Sequence, residues 1–305
     1  MSIDLRKVEY PYYHYFVSED EIREIFEALK EYKPILMKST KRNNLFMMKI
    51  DYTRDEKFLR LTDYFSEPCR VKCNRKDTVS AFEFYQNNKK EIIKELGNKV
   101  DYQTIDRHMY KLFRNFCSNF PLMISIQVLR YFKPKTWLDP SAGWGDRLVS
   151  AIAYGCQYTA TDPNECMHKY YQQIIDTLGG GDTKKYQVIE SGFEDFKSRR
   201  RFDLVFTSPP FFDLEEYSRD ETQSVIKYPT LAGWIDGFIK ELCMNSIKHC
   251  KIDGHIAFYV NNAKGIKYVH KVKDFMYDTR VKFLGTISWQ QGSYPKEILI
   301  WKRIN

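Results

Sequence analysis

Phe202-Asp203-Leu204-Val205-Phe206 is a strand-like apolar run that ends in Thr207-Ser208-Pro209-Pro210-Phe211-Phe212. The prolines Pro209 and Pro210 fix φ and leave carbonyls for which no proline N–H competes. Ser208 adds a hydroxyl that donates or accepts, and Phe211 supplies a flat face. Acceptors beside a ring suit a planar heterocycle with an exocyclic amine, whose NH₂ needs acceptors and whose face needs a stacking partner. A Pro-Pro turn closing an ordinary buried strand has the same local pattern. A second motif upstream favours the chemical reading.

That motif is Asp139-Pro140-Ser141-Ala142-Gly143-Trp144-Gly145-Asp146-Arg147, entered from a short strand over Thr136–Asp139. Gly143 and Gly145 let backbone approach a ligand that Cβ atoms would exclude. The next strand, Tyr158–Asp162, ends in a carboxylate at the distance where nucleoside-binding sheets take a ribose diol. A dinucleotide site would show G-x-G-x-x-G, but Leu148 occupies the third glycine position and no Walker lysine-serine pair is present. An acidic residue at the mouth of the first strand repels phosphate and attracts an amino group. S-adenosylmethionine, an adenosyl ligand bearing an α-amino acid, meets those demands.

The elements that must position these residues alternate. After Lys133-Pro134-Lys135, helices are expected over Asp146–Tyr154, Cys166–Leu178, Leu231–Cys250 and Ile266–Tyr277. Strands are expected over Tyr186–Ile189, His255–Val260 and, as a terminal hairpin, Val281–Ile287 with Glu297–Trp301. This grammar describes an α/β fold with an open, mostly parallel Rossmann-like sheet and an antiparallel C-terminal edge, whose ligands bind at the carboxyl ends of the strands. Upstream, helices are expected over Glu19–Tyr32 with Ser18 as N-cap and Pro34 as stop, over Phe82–Leu96, and over Ile105–Leu129 with Pro121 as a possible break. We place a boundary there: an N-terminal, mainly helical accessory or target-recognition region over 1–104, and a catalytic domain over 105–305.

The chain's 305 residues carry a formal net charge of +8, which favours an acidic partner such as nucleic acid. Lys38-Ser39-Thr40-Lys41-Arg42, then Arg70, Lys72, Arg75 and Lys76, interleave with aromatics in a way that suits phosphates and stacked bases, or equally a solvated face. No apolar run is long enough to span a bilayer, and the first residues lack the apolar stretch of a signal peptide. The 7 scattered cysteines read as free thiols of a reducing intracellular compartment such as the cytoplasm. Cys69 and Cys73 have half-site spacing without a matching second pair, so no metal is expected.

Asp139–Gly145 resembles the cofactor loop of class I S-adenosylmethionine-dependent methyltransferases, and Phe206–Phe211 resembles the catalytic tetrapeptide of the nucleic-acid amino-methyltransferases. T-S-P-P-F is similar to the cytosine-amine version, whereas D-P-P-Y or N-P-P-F is usual for adenine; the cofactor motif precedes the catalytic one here, unlike many cytosine-amine enzymes. Pro295–Trp301 is similar to the last strand of that family, and the whole run with Leu61–Phe65 resembles uncharacterised methyltransferases of large DNA viruses and phages. The family resemblance covers about residues 105–305. It implies catalytic roles for Ser208, Pro209, Pro210 and Phe211, and cofactor contacts from Asp139, Pro140, Ser141, Gly143, Gly145, Asp162, Phe193 and Glu194. Asp139 would meet the methionine ammonium directly or through water, Asp162 the ribose, Phe193 the adenine face, and Glu194 or Asp195 the adenine amine.

The expected activity is methyl transfer to the 6-amino group of adenine or the 4-amino group of cytosine in nucleic acid, with DNA ahead of RNA. Protein glutamine methylation and a catalytically inactive nucleic-acid-binding subunit are the alternatives. The segment Asp213–Tyr228 and the N-terminal hundred residues are the candidates for target recognition.

Overall fold

The computed structural model of the protein describes residues 3–33, 36–42, 45–52, 55–262, 266–292 and 294–305. Nine strands form the central sheet: β1 Leu36–Arg42, β2 Leu45–Ile50, β3 Thr136–Asp139, β4 Gln157–Asp162, β5 Tyr186–Glu190, β6 Phe202–Thr207, β7 Cys250–Tyr259, β8 Val281–Gln291 and β9 Tyr294–Arg303. Their spatial order is β1-β2-β8-β9-β7-β6-β3-β4-β5. From β7 to β5 every neighbour is parallel, and β9 is antiparallel to both β7 and β8. This is the expected Rossmann-like, mostly parallel sheet with an antiparallel edge, and the C-terminal hairpin is present with longer arms than expected.

Two strands of the N-terminal hundred residues continue this sheet: β2 runs parallel to β8, with Gly285 opposite Phe46, and β1 pairs with β2. Gly285 has φ of +141°, and a Cβ there would run into the Phe46 carbonyl, so the strand docks where a side chain is excluded. The Lys38–Arg42 basic patch falls within β1, whose side chains lie outside the described residues, as does Pro34.

Helix α1, Glu19–Glu31, begins with a capping box: Ser18 accepts from Glu21 N–H and the Glu21 carboxylate accepts from Ser18 N–H. Its Ile22, Phe26 and Leu29 are buried. Two further helices follow, α2 over Asp63–Arg70 and α3 over Ala81–Leu96. The expected long helix is two helices, α4, Tyr102–Leu112, and α5, Leu122–Phe132, with residues 113–121 outside helix and Pro121 as the N-cap of α5. Between them an extended segment carries Cys117–Pro121 to the carboxyl edge of the sheet. The longer helices that remain are α6, Asp146–Tyr154, α7, Glu165–Leu178, α8, Lys240–His249, which continues helical turns that begin at Leu231, and α9, Val269–Phe275; Glu56–Leu59 and Ser224–Lys227 are single turns.

A buried charge network fastens α2 to its surroundings. Asp63 accepts from Arg70 Nε at 3.0 Å and from Asn119 at 2.8 Å, and Arg60 grips Asp106 through two hydrogen bonds of 2.6 and 3.0 Å. Burial, with Asp63 nearby, pushes the enclosed Glu67 carboxyl upward.

The free-thiol expectation is corrected at four cysteines. Cys69 is paired with Cys166 and Cys73 with Cys117, with Cα atoms 6.2 and 6.3 Å apart, while Cys156, Cys243 and Cys250 are free and buried. Separations of 97 and 44 residues hide both pairs from sequence spacing. Among the described residues no helix can cross a membrane, and no group of three His, Cys, Asp or Glu side chains is placed to hold a metal ion.

Two outcomes are expected. Gly285→Ala lowers the stability of the chain by about 2 kcal/mol or more, seen as a lower urea midpoint. Alkylation in denaturant without reductant adds label at the three free cysteines alone, as intact mass will record.

Candidate functional site

Strands β3 and β6 are adjacent and parallel, with Trp137 opposite Leu204 and Leu138 opposite Val205. Their two motifs therefore leave the sheet at the same edge, where they enter one cavity of about 290 Å³. Pro140, Ser141 and Gly143 line it from the tip of β3, Asp162 from β4, Phe193 and Glu194 from the loop after β5, and Ser208–Phe211 from β6.

Asp139 and Gly145 stand behind the wall. Asp139 is fully buried: its carboxylate accepts from Arg147 Nε at 2.7 Å, from the Tyr158 hydroxyl at 2.7 Å and from Ser141 N–H at 3.2 Å. Arg147 also donates to the Ser141 carbonyl. These contacts shape the loop, because a buried carboxylate needs its charge and lone pairs answered within the protein. Gly145, with φ of +93°, is required for packing: a Cβ there would come within 2.7 Å of Ile174 on α7. Gly143, with φ of +64°, has nothing closer than 3.8 Å to such a Cβ and is the glycine that leaves room at the ligand face.

Asp162 accepts from Gly143 N–H at 2.8 Å and from Asn164 N–H at 3.0 Å. Burial pushes this carboxyl upward against those two backbone donors. Phe193 is almost fully buried and stacks on Phe196 with ring centroids 5.7 Å apart. Glu194 accepts from Lys227 Nζ at 2.9 Å.

Beside Ser208–Phe211 stands an aromatic wall that the sequence reading missed. Tyr259 lies 5.8 Å from Phe211, 5.3 Å from Trp289 and 5.5 Å from Phe120, measured between ring centroids, and all four line the cavity. Phe120 comes from the segment between α4 and α5, and Tyr259 from the end of β7. Trp289 lies beyond Ile287, where the expected strand stopped. Phe212, the residue after the motif, holds φ of 54° and packs its ring against Trp234. Arg75, Gln291 and Lys296 bring polar and cationic groups to the same cavity.

Asp146, the first residue of α6, is a further cavity residue. Its carboxylate accepts from Phe120 N–H at 3.3 Å, tying α6 to the segment before α5. Burial pushes this carboxyl up to about 7, opposed by the Thr62 hydroxyl and reinforced by Asp63.

No known protein family and no curated protein matches the chain in sequence. Solved structures do resemble it. TrmN from Thermus thermophilus matches 61% of this chain and 49% of its own, about half its length, at 12% identity and a TM-score of 0.44. A methyltransferase from Pyrococcus furiosus matches 72% of this chain and 100% of its own at 15% identity and 0.45. The N-methyltransferase NodS from Bradyrhizobium japonicum WM9, in complex with S-adenosyl-l-homocysteine, matches 71% of this chain and 98% of its own at 13% identity and 0.41. The strand order and register of the chain itself define its fold.

The raised carboxyl of Asp146 has a pH consequence. The folded state holds a proton that the unfolded state, at 3.8, releases; this stabilisation is complete below that value and is lost as pH rises through about 7. Asp146→Asn keeps an acceptor for Phe120 N–H and removes the titration. The melting temperature of the variant is therefore expected to gain on that of the wild type between about pH 5 and about pH 8. Parallel melting curves across that range would contradict the assignment.

Proposed function

We propose that this chain is an S-adenosylmethionine-dependent methyltransferase acting on an exocyclic amine of a base in nucleic acid: the 6-amino group of adenine or the 4-amino group of cytosine. The observation that carries the reading is the shared cavity, which Ser141, Gly143 and Asp162 line together with Ser208–Phe211 and the aromatic wall of Tyr259, Trp289 and Phe120. A nucleoside-type ligand and a flat amine-bearing group can then meet at the carboxyl ends of two neighbouring strands.

S-adenosylmethionine, when bound, supplies an electrophilic methyl group. Gly143 admits it, Asp162 takes its ribose hydroxyls, and Phe193 with Glu194 borders its adenine. Asp139 acts at one remove, by holding Arg147 and the Ser141 backbone in place.

The acceptor amine is a poor nucleophile because its lone pair is delocalised into the ring. Ser208 and the Pro209 carbonyl accept hydrogen bonds from its protons, which favours a pyramidal nitrogen with a more available lone pair. Phe211 and Tyr259 supply ring surface to the base. The methylated ammonium then loses a proton readily, so no strong base is needed before attack. Methylation at a ring carbon would call for a cysteine after the proline, and Pro210 and Phe211 occupy those positions. A base in a duplex must be extruded to enter, which makes single strands or flipped bases the reacting form. The net charge of +8 and the placement of Arg75 and Lys296 at the cavity support a polyanionic substrate.

The test is incubation with labelled S-adenosylmethionine and separate DNA, RNA and protein pools, followed by nucleoside mass spectrometry. N-methylated adenine or cytosine is the expected product, with DNA ahead of RNA. Label confined to protein would replace this reading with side-chain amide methylation, and absence of both binding and label would leave a nucleic-acid-binding subunit. Phe211→Ala is expected to lower turnover by about 100-fold while leaving cofactor affinity within about threefold. Equal losses in both would remove the ring from its assigned role.

A further inference from the structure

Residues 213–228 cross the nucleoside half of the cavity as a strap held at both ends. At the first end, Lys76 Nζ meets Asp213 at 2.5 Å, Lys76 N–H donates to the Leu214 carbonyl at 3.0 Å, and Glu215–Glu216 pairs antiparallel with Asn74–Arg75. Midway, the Tyr217 ring meets Trp144 edge-on at 5.6 Å, and the Thr222 hydroxyl, which donates to Asp220 at 2.5 Å, lies 3.3 Å from the Pro163 carbonyl. Buried Gln223 and Ser224 line the cavity from this strap. At the far end Lys227 Nζ bridges two carboxylates, Glu194 at 2.9 Å and Asp195 at 3.3 Å.

The two ends differ in kind. The first is stitched by backbone ladder and ion pair to the N-terminal region, whereas the second is held by side chains: the Trp234 indole N–H donates to the Ser224 hydroxyl at 3.2 Å, Tyr228 packs on the core, and the partly exposed Lys227 supplies the ionic contact to the loop after β5. Glu194 lines the cavity and Lys227 does not, so the lysine reaches the site only through that carboxylate. The Tyr228 ring, 5.6 Å from the ammonium, is its other close neighbour.

We propose that Lys227 is a positioning residue for the cofactor: by bridging Glu194 and Asp195 it latches the strap across the nucleoside half of the cavity and sets how long an S-adenosyl ligand stays. This rests on the cofactor reading above. An exposed ion pair of this kind changes an equilibrium by a factor of about two to five and is weakened by salt. A latch of that strength holds a ligand during a turnover and still opens to release it.

The test uses the full chain as wild type, Lys227→Met and Lys227→Arg. S-adenosylhomocysteine dissociation is followed by stopped-flow fluorescence, and amide hydrogen exchange over 213–228 is followed in the ligand-free protein. Lys227→Met is expected to speed ligand release about two- to fivefold and to speed exchange in 219–228, with Lys227→Arg close to wild type and 0.5 M salt narrowing the differences. Unchanged exchange in Lys227→Met would overturn the latch, and faster exchange with unchanged release would overturn its role toward the ligand. A wild type that binds no S-adenosylhomocysteine would overturn the cofactor reading, and with it the proposed role, while the exchange arm still reports on the latch alone.

Discussion

Trp137 and Phe206 hold the two motif-bearing strands together. The indole N–H donates to the Phe206 carbonyl at 2.9 Å, and the rings stack with centroids 5.4 Å apart and planes 14° from parallel. Such a pair contributes about 0.5–1.5 kcal/mol beyond the area it buries, and here it also sets register. At the opposite end of the same strands Asp203 accepts from Thr136 N–H at 2.8 Å and its hydroxyl at 2.9 Å, with Lys251 at 2.8 Å. Pinned at both ends, β3 and β6 cannot slip past one another. A one-residue slip would turn the motif side chains to the other face of the sheet and divide the cavity.

The loop after β3 shows how a chemical motif can serve structure first. Its leading aspartate resembles a ligand contact, yet Arg147, Tyr158 and the Ser141 backbone already surround the carboxylate. Leaving that buried charge unpaired would cost several kcal/mol, so its partners hold the loop in one conformation whether or not a ligand is present. Gly143 and Asp162 then present a prepared surface, joined by a 2.8 Å hydrogen bond.

The N-terminal hundred residues complete the site. Their β2 extends the sheet at Gly285, α2 reaches Asn119 on the cavity wall through Asp63, and Asn74–Arg75 carries the start of the strap. Both cystines fasten the same stretch, Cys69 and Cys73, to the α/β half: one to the first turn of α7 just past Asp162–Asn164, the other to the segment that delivers Phe120. The N-terminal region and the cavity at the strand tips therefore share walls. A change in how the N-terminal region sits is felt at Asn119, Phe120 and Glu215 without an intervening hinge.

The amino-acid sequence by itself determined the strands and helices of the α/β half, the two motif-bearing strand tips, the break that ends at Pro121 and the C-terminal hairpin. These follow from local rules: apolar periodicity, caps, and the missing N–H of proline. Ser208–Phe211 and Gly143 were legible for the same reason, since a rigid turn after a strand and a permissive glycine announce themselves within a few residues. Only the tertiary structure decided which residues the site uses from elsewhere. Tyr259, Trp289 and Phe120 look like ordinary core aromatics until three separate elements bring their rings together. Asp139 gains its Tyr158 partner from 19 residues away, on the neighbouring strand. Cys69 and Cys166, 97 residues apart, and Lys227 with Glu194, 33 apart, meet because the sheet order folds distant segments onto one edge. Contacts of that range are set by topology and packing, which no short window of sequence contains.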